Sequence, residues 1–172
     1  MNRRLKSGKL AAAFLALFIL TAFEAFGATN VLKPFFEKVK DNGFPLAAWA
    51  FMDGTAAVDV YKAGEFTRYS FDKKGEITAG TSPARYSLVA VRLARFSAAA
   101  AAEAAAAKEK AAGEVRAVRF ETGDALSMFV VAVYSSEGRF VGAHRFESVD
   151  GHWEGYEEGV GERDPLESQP GN

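Results

Sequence analysis

His144 and His152 are the only imidazoles in a chain that has no cysteine. Thiol nucleophiles, disulfides, Cys-ligated zinc and lipid attachment at an N-terminal cysteine are therefore excluded. Acid–base or metal chemistry near neutral pH would fall first on the two rings. If Ser148 to Gly151 is a hairpin turn, Phe146 pairs with Trp153, Arg145 with Glu154 and Glu147 with His152. The two histidines then lie on opposite faces and cannot share a metal. His144 falls between Phe140 and Phe146 on the face with Trp153, where it reads as a hydrogen-bonded core or cleft histidine rather than a ligand or base. His152 beside Glu147 reads as a surface pair.

Ser70-Phe-Asp-Lys73 fits the S-x-x-K spacing of penicillin-recognising enzymes, which need the serine at a helix start and the lysine one turn on. Here the pattern runs from a strand into a turn, so the side chains diverge, and the companion S-D-N and K-T-G motifs are absent. No catalytic residue, cofactor or metal site is expected. Arg85, Arg92 and Arg95, followed by Arg116 and Arg119, could meet an anionic partner but read as a solvated face. Trp49, Tyr69, Trp153 and Tyr156 are the candidate aromatic binding surface, with His144 beside them.

These side chains need a scaffold. A chain of 172 residues with fifteen Phe is long enough to bury a core, and with no cysteine its stability must come from packing. A formal charge of -1 argues against nonspecific nucleic-acid binding. Arg3, Arg4, Lys6 and Lys9 precede an apolar run of 14 residues from Leu10 to Phe23, and Ala25-Phe26-Gly27 supplies small residues before a cleavage point. Residues 1–27 are therefore expected to be a signal peptide, since the run is shorter than the ~20 residues that span a bilayer. Export to the periplasm or exterior follows, with no stable membrane insertion after cleavage and a net charge of -4 from residue 28 onward.

Asn30 to Asn42 has Leu32, Phe35, Phe36 and Val39 on one helical face, with Pro34 leaving the start open between Asn30 and Lys33. Beyond Gly43 the period becomes strand-like. Leu46 to Met52, Ala57 to Lys62, Glu65 to Phe71 and Glu76 to Ala79 are separated by Asp53-Gly54, Ala63-Gly64 and Asp72 to Gly75. Thr67, Tyr69 and Phe71 share the face expected to point inward. A second series comprises Val115 to Glu121, Leu126 to Tyr134, Arg139 to Glu147 and His152 to Glu157. The Gly-, Pro- and Glu-rich residues 158–172 are expected to be a disordered tail.

Between the two series lies Ser82 to Gly113, read as one alanine-rich helix with Ser82 as N-cap, Pro83 at the first position and Gly113 as its stop. Such a helix would be roughly 45 Å long, against a diameter of about 38 Å for a compact chain of this size. It would overhang or bend. Val91-Arg-Leu-Ala-Arg-Phe96 echoes Val115-Arg-Ala-Val-Arg-Phe120, so a strand over Tyr86 to Phe96 followed by a shorter helix is the alternative.

The two halves align. Phe51-Met-Asp-Gly54 matches Phe120-Glu-Thr-Gly123, Val58-Asp-Val-Tyr61 matches Val131-Ala-Val-Tyr134, Gly64-Glu-Phe66 matches Gly138-Arg-Phe140, Phe71 matches Phe146, and Gly75-Glu-Ile77 matches Gly151-His-Trp153. This order, over roughly residues 30–157, resembles the PepSY-like and beta-lactamase-inhibitor-protein-like group of exported tandem repeats. The resemblance implies a helix packed on an antiparallel sheet, a periplasmic or secreted location, and binding or inhibition of other proteins rather than catalysis. It carries over no inhibitory residue, because no matching functional motif is present.

The expected fold is thus α+β: two tandem helix-plus-four-strand antiparallel repeats, residues 28–81 and 82–157, forming one compact domain with the helices on one face. The expected function is that of an exported, non-enzymatic module binding a protein partner of the cell envelope through the open sheet face or the loops at its rim. The alternative is an extracytoplasmic small-ligand sensor or carrier with a pocket between helix and sheet, lined by His144 and aromatics. A continuous aromatic patch on the open face would favour the first, and a deep enclosed pocket containing His144 the second.

Overall fold

The computed structural model describes residues 27–123 and 126–159. The elements run β1 (Ala28–Asn30), α1 (Lys33–Val39) with a 3-10 turn over Lys40–Asn42, β2 (Phe44–Ala50), β3 (Ala56–Lys62), β4 (Glu65–Phe71) and β5 (Ile77–Thr81). There follow α2 (Leu88–Leu93), α3 (Ala98–Lys108), β6 (Gly113–Thr122), β7 (Ser127–Tyr134), β8 (Phe140–Glu147) and β9 (Trp153–Glu158). The expected signal peptide, Gly27 apart, lies outside the described residues, as does the expected tail from residue 160. Glu158 itself closes β9, and the Gly159 N–H donates to Val141 O at 2.7 Å, so the sheet reaches further than expected.

The mixed α+β class with a largely antiparallel sheet is as expected, but the division into two separate four-stranded repeats is not. One nine-stranded sheet runs β5-β4-β3-β2-β6-β7-β8-β9, with β1 added in parallel to β6. The two series of strands are joined edge to edge through β2 and β6, in register at Ala48↔Val118 and Trp49↔Ala117. Their helical complements also differ, with α1 in one half and α2 and α3 in the other.

Turn chemistry fixes the strand order. At Asp53-Gly54 the Asp53 carboxylate accepts the Thr55 N–H at 3.0 Å and its hydroxyl at 2.7 Å, and these bonds hold it below the usual carboxylate range. In the next turn the Asp72 carboxylate accepts the Lys74 and Glu76 N–H groups, both at 2.8 Å.

The long helix expected over Pro83 to Ala112 is absent, and so is the alternative strand over Tyr86 to Phe96. Two short helices replace them, each begun by a serine: Ser87 Oγ accepts the Ala90 N–H at 3.4 Å and Ser97 Oγ accepts the Ala100 N–H at 3.3 Å. The break between them has a tertiary cause. Arg95 and Phe96 turn their N–H groups to Ser148 O, at 2.9 and 3.0 Å, instead of into a helix. Ser148 is itself tied to β7 by its N–H to Ser127 O at 2.9 Å and by a hydroxyl pair with Ser127 at 2.6 Å. The Phe96 ring follows its backbone down onto Phe146, with centroids 5.9 Å apart. Gly113 is the first residue of β6 rather than a helix stop. With the helix broken, Arg85, Arg92 and Arg95 form no single stripe; Arg95 turns back to Arg92 O and Ala94 O at 2.8 and 3.0 Å.

The helices cover one face of the sheet. In α3, Ala98, Ala101, Ala102 and Ala105 are fully buried. This i, i+3, i+4, i+7 stripe of single methyl groups lets the helix axis lie close over β6, β2 and β7. Leu32, Phe36 and Val39 around α1 pack beside it against Val58, Val60 and Phe71. Among the described residues no helix lies on the second face, yet it is not open: Ala47, Trp49, Ala117, Ala132 and Tyr134 form a smaller buried layer.

Candidate functional site: a cleft at the end of α3

The last turn of α3 and the outer strands β8 and β9 border an open cleft of about 520 Å³, lined by Lys108, Glu109, Lys110, His144, Trp153 and Tyr156. Glu109 caps the helix in an extended conformation, its N–H donating to Ala105 O at 2.9 Å. Its Oε1 accepts the Lys110 and Ala111 N–H groups at 2.9 and 3.2 Å, which aims Oε2 at His144 Nε2, 3.4 Å away.

Strand register sets the other walls. Val131, His144 and Tyr156 form one row across β7, β8 and β9. In a regular strand Trp153 and Tyr156, three residues apart, would point to opposite faces. A register shift between Arg145 and Phe146 makes Gly155, not Glu154, the partner of Arg145, so that Trp153 still pairs with Phe146 while Tyr156 pairs with His144. The extra residue brings both aromatics to the helix-covered face. Gly155 absorbs it with φ +152, which other residues rarely adopt. Gly142 supplies the remaining room: a Cβ there would overlap the Tyr156 hydroxyl and Glu157 O, so only glycine lets the phenol lie down on β8.

His144 is 3% exposed, with both nitrogens occupied. Trp153 Nε1–H, a donor only, points at Nδ1 from 3.3 Å. Nδ1 is therefore the acceptor, and the ring proton sits on Nε2, donated to Glu109. Burial holds the imidazole below its ordinary value of 6.5, against the opposing pull of the Glu109 carboxylate. Tyr156 stacks 4.8 Å from the His144 ring, and its phenol is held above the usual range by burial and by Glu109 and Glu158. Lys108 Nζ lies 4.6 Å over the Trp153 ring. Trp153 lines the cleft and remains 40% exposed.

Of the five residues expected to bind, the structure brings His144, Trp153 and Tyr156 together. Trp49 is 3% exposed, on the second face, under the Arg68 guanidinium at 4.9 Å. Tyr69 packs against the helix-side core from β4, at the other end of the sheet. Ser70 is an exposed residue of β4, and Lys73 turns to Asp53 at 3.5 Å. Arg116 pairs with Glu114, Arg119 with Glu121, and Arg145 with Glu121 and Glu157. His152 sits 3.8 Å from Glu154 at the surface.

Two features lay beyond the sequence reading. One is Glu109, whose carboxylate faces His144 from the end of α3. The other is Asp59, fully buried in β3, whose carboxylate accepts Arg68 Nε and Nη2 at 2.7 and 2.9 Å, the Ser82 hydroxyl at 2.8 Å and the Tyr86 hydroxyl at 2.6 Å. The hydrogen bond from the Arg68 guanidinium raises its pKa further, and burial raises that of the Tyr86 phenol, so both stay protonated donors. Among the described residues no group of three or more metal-binding side chains occurs, and no helix is long and apolar enough to cross a membrane. No family model, curated protein or solved structure matches this chain.

Proposed function

We propose that this is an exported, non-enzymatic binding protein that takes a small planar anion into the cleft between the end of α3 and β8–β9. The observation that carries the reading is the pairing of Trp153 and Tyr156 on one face by the Gly155 bulge, with Lys108 and Lys110 at the rim. Indole and phenol rings offer flat apolar walls, and the ammonium groups offer charge to a carboxylate or sulfonate. Catalysis is disfavoured by the hydrogen bonding: the basic nitrogen of His144 is occupied by the Trp153 N–H. A protein partner on the helix-free face is disfavoured because Trp49 and Tyr134, its largest aromatics, are buried there. The basic and apolar N-terminal segments support export. The PepSY-like resemblance supports binding over catalysis.

The test is a titration with the aromatic sulfonate 8-anilinonaphthalene-1-sulfonate, followed by its fluorescence and by the NMR shift of the Trp153 indole N–H. Saturable one-to-one binding is expected, weakened at least about tenfold, or about 1.4 kcal/mol, by Trp153→Ala and by Lys108→Glu. Binding unchanged in both variants, or absent while the folded spectrum is retained, refutes the proposal.

A further inference from the structure

The ends of the strand path are two edges, and they differ in kind. Along β9 stand Glu154, Glu157 and Glu158, and the Gly155 bulge interrupts the ladder. Charge and bulge are the usual devices that keep an edge from pairing. β5 has neither. Ile77-Thr-Ala-Gly-Thr81 is uncharged and exposed throughout, contains no proline, and keeps an unbroken register with β4 from Thr67↔Thr81 to Phe71↔Ile77.

Its free hydrogen-bonding groups can be assigned. The Ser82 N–H donates to Phe66 O and the Asp72 N–H donates to Glu76 O, so residues 76, 78, 80 and 82 are the ones bonded toward β4. Ile77, Ala79 and Thr81 therefore turn their N–H and C=O groups outward. A cavity of about 590 Å³ beside this edge is lined by Gly64 to Thr67 and Ala79 to Ser82, and none of the described residues comes within 4 Å of where a Gly80 side chain would begin.

We propose that β5 pairs antiparallel with β5 of a second copy of this chain, about a twofold axis at Ala79. This register is the self-complementary one. Ala79 opposes Ala79 of the second copy, and Ile77 opposes Thr81 of the second copy, so all six outward groups find partners. On the other face Thr78 of the second copy lands on the empty space over Gly80, and the reverse. No charged side chain of either strand opposes a like charge, whereas the same operation at β9 would set glutamates against glutamates. An edge of five residues is small beside the ~1,200 Å² of a stable interface, so the dimer is weak and concentration-dependent.

The test uses protein expressed from its full coding sequence and purified as the cell processes it. Sedimentation velocity from about 10 to 500 µM, a range matched to a dissociation constant in the tens of micromolar, should show the average mass rising toward twice the protomer. Ala79→Pro should abolish the rise while leaving the thermal midpoint in place, because that N–H takes no part in the ladder to β4. Thr78→Lys should do the same by placing a charge over Gly80. The chain has no cysteine, so Ala79→Cys introduces a lone thiol whose Cα would lie ~5.5 Å from its mate. Mild oxidation should cross-link it at least about tenfold faster than Glu37→Cys on α1, a working margin for the proximity effect. A monomer throughout the range, a dimer that survives both Ala79→Pro and Thr78→Lys, or equal cross-linking of the two thiols overturns the proposal.

Discussion

Replacing Asp59 by asparagine tests the buried ionic cluster of β3 and β4. The side chain keeps its volume and loses its charge. In the native protein two carboxylate oxygens receive four donors, from Arg68 twice, Ser82 and Tyr86, at 2.6–2.9 Å. Asparagine keeps one oxygen. In its better orientation that oxygen takes the Oδ2 position and retains Ser82, Tyr86 and one Arg68 bond, while the amide NH₂ faces Arg68 Nε, donor against donor. Breaking a buried ion pair by removing one partner costs about 3–5 kcal/mol. The Arg68 side chain is 16% exposed and recovers some hydration, which puts the expected loss near the lower end, about 3 kcal/mol. For a domain of this size that lowers the thermal midpoint by roughly 10 °C. Urea unfolding at neutral pH measures the loss directly. Arg68→Met should restore part of it when combined with Asp59→Asn, with a coupling of about 1–2 kcal/mol, because no orphaned cation then remains. A loss below about 1 kcal/mol in Asp59→Asn, or strict additivity of the two substitutions, would refute the assignment of Asp59 as the electrostatic anchor of this half of the sheet.

Two further perturbations address the cleft. His144 is held below its ordinary value of 6.5 in the folded protein, so the unfolded chain binds the proton first as pH falls. The contribution is complete above the unfolded value and lost as pH drops through it toward the folded one. Denaturant midpoints should accordingly fall on acidification below about pH 6.5, and His144→Gln should flatten that part of the profile; an unchanged slope would show that the ring is not the titrating group. Gly142→Ala should displace Tyr156 from β8 and destabilise by about 1–3 kcal/mol through overpacking, with the Tyr156 ring signals shifted in NMR. A variant as stable as the parent would mean that the phenol has room to move.

The strand series was legible because its punctuation is local. Asp-Gly, Ala-Gly and Asp-Lys-Lys-Gly turns act over four residues, and they predicted β4 at its observed bounds and the pairing of Phe146 with Trp153. Tyr69 and Phe71 lie on the inner face, as alternation together with their aromatic character predicts. What was illegible depends on partners remote in sequence. Ser148 O ends α2 from more than fifty residues away, and alanine-rich composition cannot register that competitor, although Ser97 before five alanines is a cap signal that was there to be read. The Gly155 bulge is one residue of slippage, which reverses the face of Tyr156 without altering any turn signal. Glu109 acquires its role only because the extended cap turns its carboxylate toward β8.

The two halves of the sheet divide their tasks in a way that follows from their side chains. The β2–β5 half holds its centre with an ion cluster sealed by Ser82 and Tyr86, an arrangement that penalises movement because any displaced member leaves a buried charge. The β6–β9 half holds its centre with the buried side chains of Val118, Val131, Phe129 and Phe146, and it carries the cleft at its outer strands. The halves meet along a short β2–β6 seam, and α3 crosses that seam, packing on β2, β6 and β7 with four buried alanines. The same helix ends in Lys108 and Glu109, two walls of the cleft. A larger side chain at Ala101 or Ala102 would lift α3 from the sheet. That displacement would withdraw Glu109 from His144 and Lys108 from Trp153 before any cleft residue had been altered, so the geometry of the candidate site is set by the alanine face at the seam.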